Sequence, residues 1–215
     1  TLAYAPMVDG EYVPDYPIRV FERGEQHAIP LVIGNVRDEA TLFKFMKSPL
    51  VPIDPKVLRG LFAEVKRDHP DVTLPTEPQL LGAYRNRTDL TARLHIAGDF
   101  GFRMPTLWFA RAHARIAPTW LYRFDYATPS MRLLGIGATH ATEVPLEFGR
   151  ITSRGNLTYK LGGQAEARRL GVELTERWTA FARDERPGAE VPRLQALLVV
   201  AVGPTAGQPA EVDDR

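Results

Sequence analysis

Glu39 and His140 are the two residues whose types and setting could do chemistry together. Glu39 closes the run Asn35-Val36-Arg37-Asp38-Glu39, and His140 closes Gly135-Ile136-Gly137-Ala138-Thr139-His140, about a hundred residues later. A buried carboxylate beside an imidazole fixes its tautomer. It also stabilises the imidazolium formed when the ring takes a proton from a nucleophile. Acid before histidine, each after a strand, is the order of the last two members of a serine–acid–histidine relay. The first member is not evident. The chain has three serines, Ser48, Ser130 and Ser153, and none stands in a Gly-x-Ser-x-Gly turn between a strand and a helix. No cysteine is present to replace it. From spacing alone the plainer readings hold: a glutamate after a strand is usually a solvated loop carboxylate, and a histidine among glycines is usually structural.

The elements that must position this pair are legible in the pattern. Residues 1–29 carry Asp9-Gly10, Pro14-Asp15, Pro17 and Arg23-Gly24, the turn formers of an irregular entry segment. Pro30-Leu31-Val32-Ile33-Gly34 is a continuous apolar run and predicts a strand buried on both faces of a parallel sheet. Asp54 as N-cap and Pro55 in the first turn open a predicted helix through Val65, with Val57, Leu58, Leu61 and Phe62 at helical spacing. Helical patterning returns over 89–116, with a second start near Pro105. Strict alternation over 119–126 predicts a strand. Trp120, Tyr122, Phe124 and Tyr126 share one of its faces, and Leu121, Arg123 and Asp125 the other, where the two charges need charged partners. Over 164–183 Ala167, Leu170, Leu174, Trp178 and Phe181 form one apolar stripe. Residues 197–202 are the last strand candidate, before a polar tail. Strands separated by helices predict an α/β fold with a mainly parallel sheet, although three strands are too few for a complete doubly wound domain. In such a sheet active groups gather past the carboxyl ends of the strands, where both Glu39 and His140 fall.

Composition narrows the class. The chain is 44% hydrophobic and 25% charged, the proportions of a soluble globular protein. A net charge of +1 gives no electrostatic case for nucleic acid or an anionic membrane. No run approaches the ~20 apolar residues of a membrane helix. The absence of cysteine excludes disulfides and thiolate metal sites and fits a reducing cytoplasm, the expected location, although a leader peptide upstream of Thr1 would not be visible. Other candidates are weaker. His95 and Asp99, four apart on a predicted helix, have no third ligand for a metal. His113, among alanines and arginines, reads as a surface or satisfied histidine. His140-x-x-Glu143 inverts the order of di-iron bundles and lies in a loop, so no metal or other cofactor is expected.

Over residues 5–183 the chain resembles the type-B carboxylesterases, the family of cholinesterases, para-nitrobenzyl esterases and their bacterial relatives. Ala5-Pro6-Met7-Val8-Asp9-Gly10 is similar to the segment before the family's acid strand, and residues 30–39 to the strand and turn presenting the acid. Asp99-Phe100 through Pro105, Ala110 and Pro118 through Asp125 resemble the helix and strand that follow. Gly137-Ala138-Thr139-His140-Ala141-Thr142-Glu143-Val144-Pro145-Leu146-Glu147-Phe148-Gly149 resembles the histidine loop, and Trp178 through Arg183 the closing helix. Five segments in the family's order make the match specific.

The resemblance implies the C-terminal part of one α/β-hydrolase domain across 1–215, with Glu39 as triad acid and His140 as base. Glu143, three residues past the histidine, reads as a carboxylate near it or as a plain structural residue. The resemblance implies Trp108 and Phe109 as acyl-pocket candidates for which core packing is the competing role. It implies a serine esterase acting on a small-molecule ester, inactive as this chain alone because the nucleophile lies elsewhere. The expected partner is an upstream segment of the same hydrolase, which would cover an otherwise unpaired edge at 31–33. The alternative is a non-catalytic, hydrolase-like binding module or a truncated gene product. Two departures stand out: Ala40 replaces the glycine that usually follows the acid, and Val191-Pro192-Arg193-Leu194 lacks the family's aromatic segment, so 189–215 is expected to diverge.

Overall fold

The computed structural model describes residues 6–46, 55–68, 70, 73–84, 89–151, 157–188 and 197–202. Helix α1 (Pro17–Arg23) begins on a proline, whose fixed φ suits a first helical turn. Strand β1 (Leu31–Val36) follows and pairs in parallel with β2 (Thr119–Phe124), Leu31 opposite Thr119 and Val36 opposite Phe124. Helix α2 (Phe43–Met46) is one turn just beyond the acid. Helix α3 (Pro55–Asp68) starts where Pro55 places it, while its expected cap Asp54 lies outside the described residues. Helix α4 (Glu77–Ala83) is opened by a capping box between Thr76 and Gln79.

Residues 89–113 form a broken rod. Helix α5 (Asp89–Gly98) runs into a π-helical turn, Asp99–Arg103, and then into α6 (Met104–His113), with Pro105 in its first turn. Helix α7 (Pro129–Leu133) is capped by the Thr128 side chain. Helices α8 (Val144–Glu147) and α9 (Leu157–Lys160) are single turns, and α10 (Gln164–Asp184) is the longest helix described. Strand β3 (Leu197–Val202) pairs antiparallel with β2, giving the order β1-β2-β3.

The core forms where the alternation of β2 meets the stripe of α10. Phe124 and Tyr126 pack with Val36, Ala138, Leu146, Ala167, Leu170 and Leu174. Tyr122 and Trp120 meet Trp178 and Phe181 edge-on at 5.4 and 5.8 Å. Each large side chain fully removed from water contributes roughly 1.5–3 kcal/mol, so this seam fixes α10 to the sheet. Close packing across the sheet also selects Gly34, where a Cβ would fall 2.3 Å from Tyr122. On the opposite face Arg123 and Asp125 find each other, with Nε and Oδ1 at 2.9 Å.

One expectation needs correction. Residues 31–34 are half-buried, and burial on both faces begins only at Asn35 and Val36. Among the described residues β1 is an edge strand with β2 on one side only, so its first half lacks the cover a central strand receives. In the described sheet β1 pairs with β2 in parallel, and β3 adds to β2 antiparallel. On α3, Val57 is exposed, while Phe62 packs toward Phe100 at 5.7 Å.

Candidate active site

The site begins at the carboxyl end of β1. Pairing with β2 continues one residue past the strand, Arg37 N–H donating to Phe124 O at 2.9 Å. The chain then turns, with Thr41 N–H on Asp38 O at 3.0 Å, and the turn swings Glu39 inward. Glu39 is buried, and both its oxygens are used. Oε1 accepts Val36 N–H at 2.9 Å, and Oε2 lies 2.8 Å from Nδ1 of His140. Ala40, in place of the usual glycine, is buried against Leu94 and Ala97 with an ordinary negative φ, so the turn accepts its methyl group.

His140 arrives on the loop after α7. Gly135 and Ile136 N–H groups bond back to Arg132 O and Met131 O, reversing the chain. Residues 38–44 then grip the loop. Asp38 N–H donates to Ala138 O at 2.8 Å, Leu42 N–H to Thr139 Oγ1 at 2.9 Å, Thr41 Oγ1 to Ile136 O, and Lys44 Nζ to Gly135 O at 3.1 Å. A carboxylate only accepts, so the neutral ring carries its hydrogen on Nδ1 and presents Nε2 as a base. The His140 side chain is 48% exposed, and among the described residues Nε2 has no hydrogen-bond partner. Phe43 and Phe102 flank the imidazole at centroid distances of 5.9 and 5.2 Å.

Glu143 precedes α8, and burial pushes its carboxyl up to about 7, helped by the charges of Glu147 and Glu39 and opposed by His140. Its Oε2 is buried with no hydrogen-bond partner among the described residues. Burial raises the Tyr122 hydroxyl too, with Glu143 first among the charges acting on it. Glu143 and Tyr122 are therefore desolvated groups within electrostatic reach of Glu39.

The remaining candidates fall elsewhere. Phe109 packs edge-on against Phe21 of α1 at 4.8 Å, and Trp108 is half-exposed; neither is among the ring neighbours of His140. His113 is buried, with Nε2 on Ile29 O at 2.7 Å and Nδ1 on Gln26 Nε2 at 3.2 Å. Asp99 accepts from Tyr84 Oη and pairs with Arg103 Nε at 3.4 Å. Among the described residues no three His, Asp or Glu side chains cluster as metal ligands. Ser130 donates to Thr158 O and bonds Thr128, a cap rather than a nucleophile; Ser48 and Ser153 lie outside the described residues. No described helix is long and apolar enough to cross a membrane. Phe43, Phe102 and Asp38 were missed by sequence reasoning. Only Phe43, one helical turn past Glu39, carried a usable signal.

The architecture is shared with solved esterases. One para-nitrobenzyl esterase structure superposes with a TM-score of 0.62 at 26% identity, over 88% of this chain and 36% of the other. A Geobacillus stearothermophilus carboxylesterase does so at 0.66 and 25% identity, over 92% and 43%. These neighbours define an α/β-hydrolase fold, of which the chain forms a partial segment. In sequence, 191 residues are 27% identical to the para-nitrobenzyl esterase of Bacillus subtilis strain 168, covering 88% of this chain and 36% of that protein. The acylcarnitine hydrolase of Rattus norvegicus is 29% identical over 195 residues, covering 86% and 34%. The chain spans about a third of the length of these curated relatives. The carboxylesterase family model matches residues 1–197, and the chain belongs to that family.

Proposed function

We propose that this chain serves carboxylic-ester hydrolysis as the acid–histidine part of a serine hydrolase, with the nucleophile and oxyanion amides supplied by a segment outside these residues. The observation that carries the reading is the 2.8 Å bond from buried Glu39 to Nδ1 of His140, with Nε2 left open. In the reaction a serine Oγ attacks the ester carbonyl carbon while Nε2 of His140 takes its proton. The resulting imidazolium, stabilised by ionised Glu39, gives that proton to the departing alcohol oxygen. Water then repeats the sequence in reverse and frees the acid. Glu143 lies within electrostatic reach of the ring, neutral or ionised depending on pH. The rings beside His140 are Phe43 and Phe102, so the apolar wall of the ester site is assigned to them rather than to Trp108 and Phe109. An uncharged or weakly polar ester fits that wall.

The coding DNA upstream of Thr1 tests this directly. It is expected to continue the reading frame through a strand–Gly-x-Ser-x-Gly–helix segment, and the longer product to hydrolyse a short-chain nitrophenyl ester. The 215-residue chain alone is expected to show no turnover above background. A frame that starts at Thr1, or robust hydrolysis by the pure chain, would overturn the proposal. The first result would favour a non-catalytic module on the same fold.

A further inference from the structure

We propose that Asp38 is a positioning residue that latches the histidine loop to the acid turn and thereby sets the Glu39–His140 bond. The inference rests on the reading of that pair as the acid and base of the site, and adds a residue that touches neither. Asp38 and Ala138 form a reciprocal couple. Asp38 N–H donates to Ala138 O at 2.8 Å, and Ala138 N–H donates to Asp38 Oδ2 at 3.0 Å. A backbone segment held by both its donor and its acceptor is fixed in register as well as distance, as two residues are in a sheet. Ala138 is two residues from His140, and Asp38 is adjacent to Glu39. An error at this couple is therefore passed directly to both side chains.

The space at Gly137 points the same way. Gly137 has φ +66°, and a Cβ there would lie 2.2 Å from Asp38 Oδ2. The carboxylate occupies the place a side chain would need, so the loop lies flat against it. Arg37 holds the same oxygen from the solvent side, Nε at 3.1 Å. Charge-assisted bonds to backbone N–H groups are shorter and stronger than neutral ones, and a half-buried carboxylate makes a firm anchor. The bonds around it, from Leu42 N–H and the Lys44 ammonium, hold Thr139 and Gly135, on either side of Ala138. The carboxylate alone reaches the amide between Gly137 and Ala138.

The tautomer of His140 gives the test a readout that overall stability does not move. With Glu39 in place the neutral ring carries its hydrogen on Nδ1, the form a free imidazole disfavours. Long-range proton–nitrogen spectra of the ¹⁵N-labelled 215-residue chain distinguish the two forms. The unmutated chain is expected to show mainly the Nδ1–H form, and Glu39→Ala to return His140 to the free-imidazole preference. If Glu39→Ala changes nothing, the acid–base reading itself fails. With that control in hand, Asp38→Ala is expected to shift the tautomer at least half as far as Glu39→Ala does, with Glu39 still present. Asp38→Asn, which keeps an oxygen for Ala138 N–H, is expected to restore the Nδ1–H form. A folded Asp38→Ala chain that retains the unmutated tautomer would overturn the latch and leave the acid–base pair standing. Should Asp38→Ala fail to fold, the unmutated chain decides. A scalar coupling across the bond between the Ala138 amide nitrogen and the Asp38 carboxyl carbon supports the latch, and its absence overturns it.

Discussion

Two histidines on this chain show how one side chain serves two purposes. His113, at the end of α6, is 2% exposed and has both ring nitrogens committed, to Ile29 O and to Gln26. Phe21 lies over it at 5.6 Å, so the ring is a polar rivet joining α6 to the entry segment. His140 has one nitrogen on a buried carboxylate and the other open, between two phenylalanines. A ring with both nitrogens bonded to neutral partners has no nitrogen open to another molecule. A ring with one charged partner and one free nitrogen is oriented, basic and available. Burial alone would have selected the wrong histidine. What separates them is which nitrogen is left over and what holds the other.

Removing each ring in turn should separate the two roles. In a longer product that hydrolyses esters as proposed, His140→Ala is expected to lower kcat for a nitrophenyl ester by about 10⁴- to 10⁶-fold, with little change in melting temperature. Glu39→Gln should follow in the same direction. Retention of more than a hundredth of the activity in His140→Ala would end the assignment of the base.

His113→Ala should do the reverse. It opens a cavity and leaves Ile29 O without its donor, a combination expected to cost about 2–4 kcal/mol in denaturant unfolding. Folded His113→Ala should keep its kcat. If its stability is unchanged, the ring is not the rivet its bonds describe.

The difference between the two histidines was only partly legible in the sequence. Strand β2, α10 and the turn at Glu39 follow from alternation, helical spacing and turn chemistry, and they emerged where those patterns put them. That Glu39 and His140 would meet could be read because order along the chain carries the pair, and they lie 2.8 Å apart. The partners of His113 could not, since Gln26 and Ile29 come from an irregular segment with no period. Phe102 was hidden for another reason. It stands on a π-helical turn, whose extra residue breaks the 3.6-residue spacing from which its direction would be inferred. Asp38 looked like an ordinary turn acid, because its bond to Ala138 spans a hundred residues. The half-burial of β1 was missed because an apolar run reports affinity for a core without saying how much core surrounds it.

Glu143 sharpens the contrast through pH. The His113 rivet has neutral partners, whereas His140 has a second carboxyl within electrostatic reach, Glu143, pushed up to about 7, chiefly by burial. Between the ordinary glutamate range and about 7, the folded chain keeps this proton while the unfolded chain has released it. The unfolded state then binds fewer protons, so stability falls as pH rises through that window. The Glu143 contribution is most favourable below about 4.5, and its full penalty is reached above about 7. Glu143→Gln removes the penalty. Its stability relative to the unmutated chain should rise by roughly 2–3 kcal/mol between those limits, allowing for the partial exposure of the side chain. Parallel denaturant titrations of the two chains across pH 4.5–7.5 measure it, and a constant difference would mean that Glu143 is an ordinary solvated acid.

The smallest effect lies in the backbone beside each histidine. Ala141, directly after His140, has φ +62°, whereas Ala114, directly after His113, has φ −59°. An L-residue in the left-handed region costs roughly 1–2 kcal/mol, which glycine avoids. Glycine in turn loses about 0.5–1 kcal/mol more backbone entropy on folding than alanine does. Ala141→Gly should therefore stabilise the chain by about 0.5–1 kcal/mol. Ala114→Gly should destabilise it by about as much or more, because Ala114 is unstrained and its buried methyl group would be lost. Opposite signs in matched unfolding curves would locate the strain beside His140 rather than beside His113. Equal losses would mean that the chain after His140 relaxes out of the left-handed region, and that His140 is held by its side-chain bond rather than by its loop.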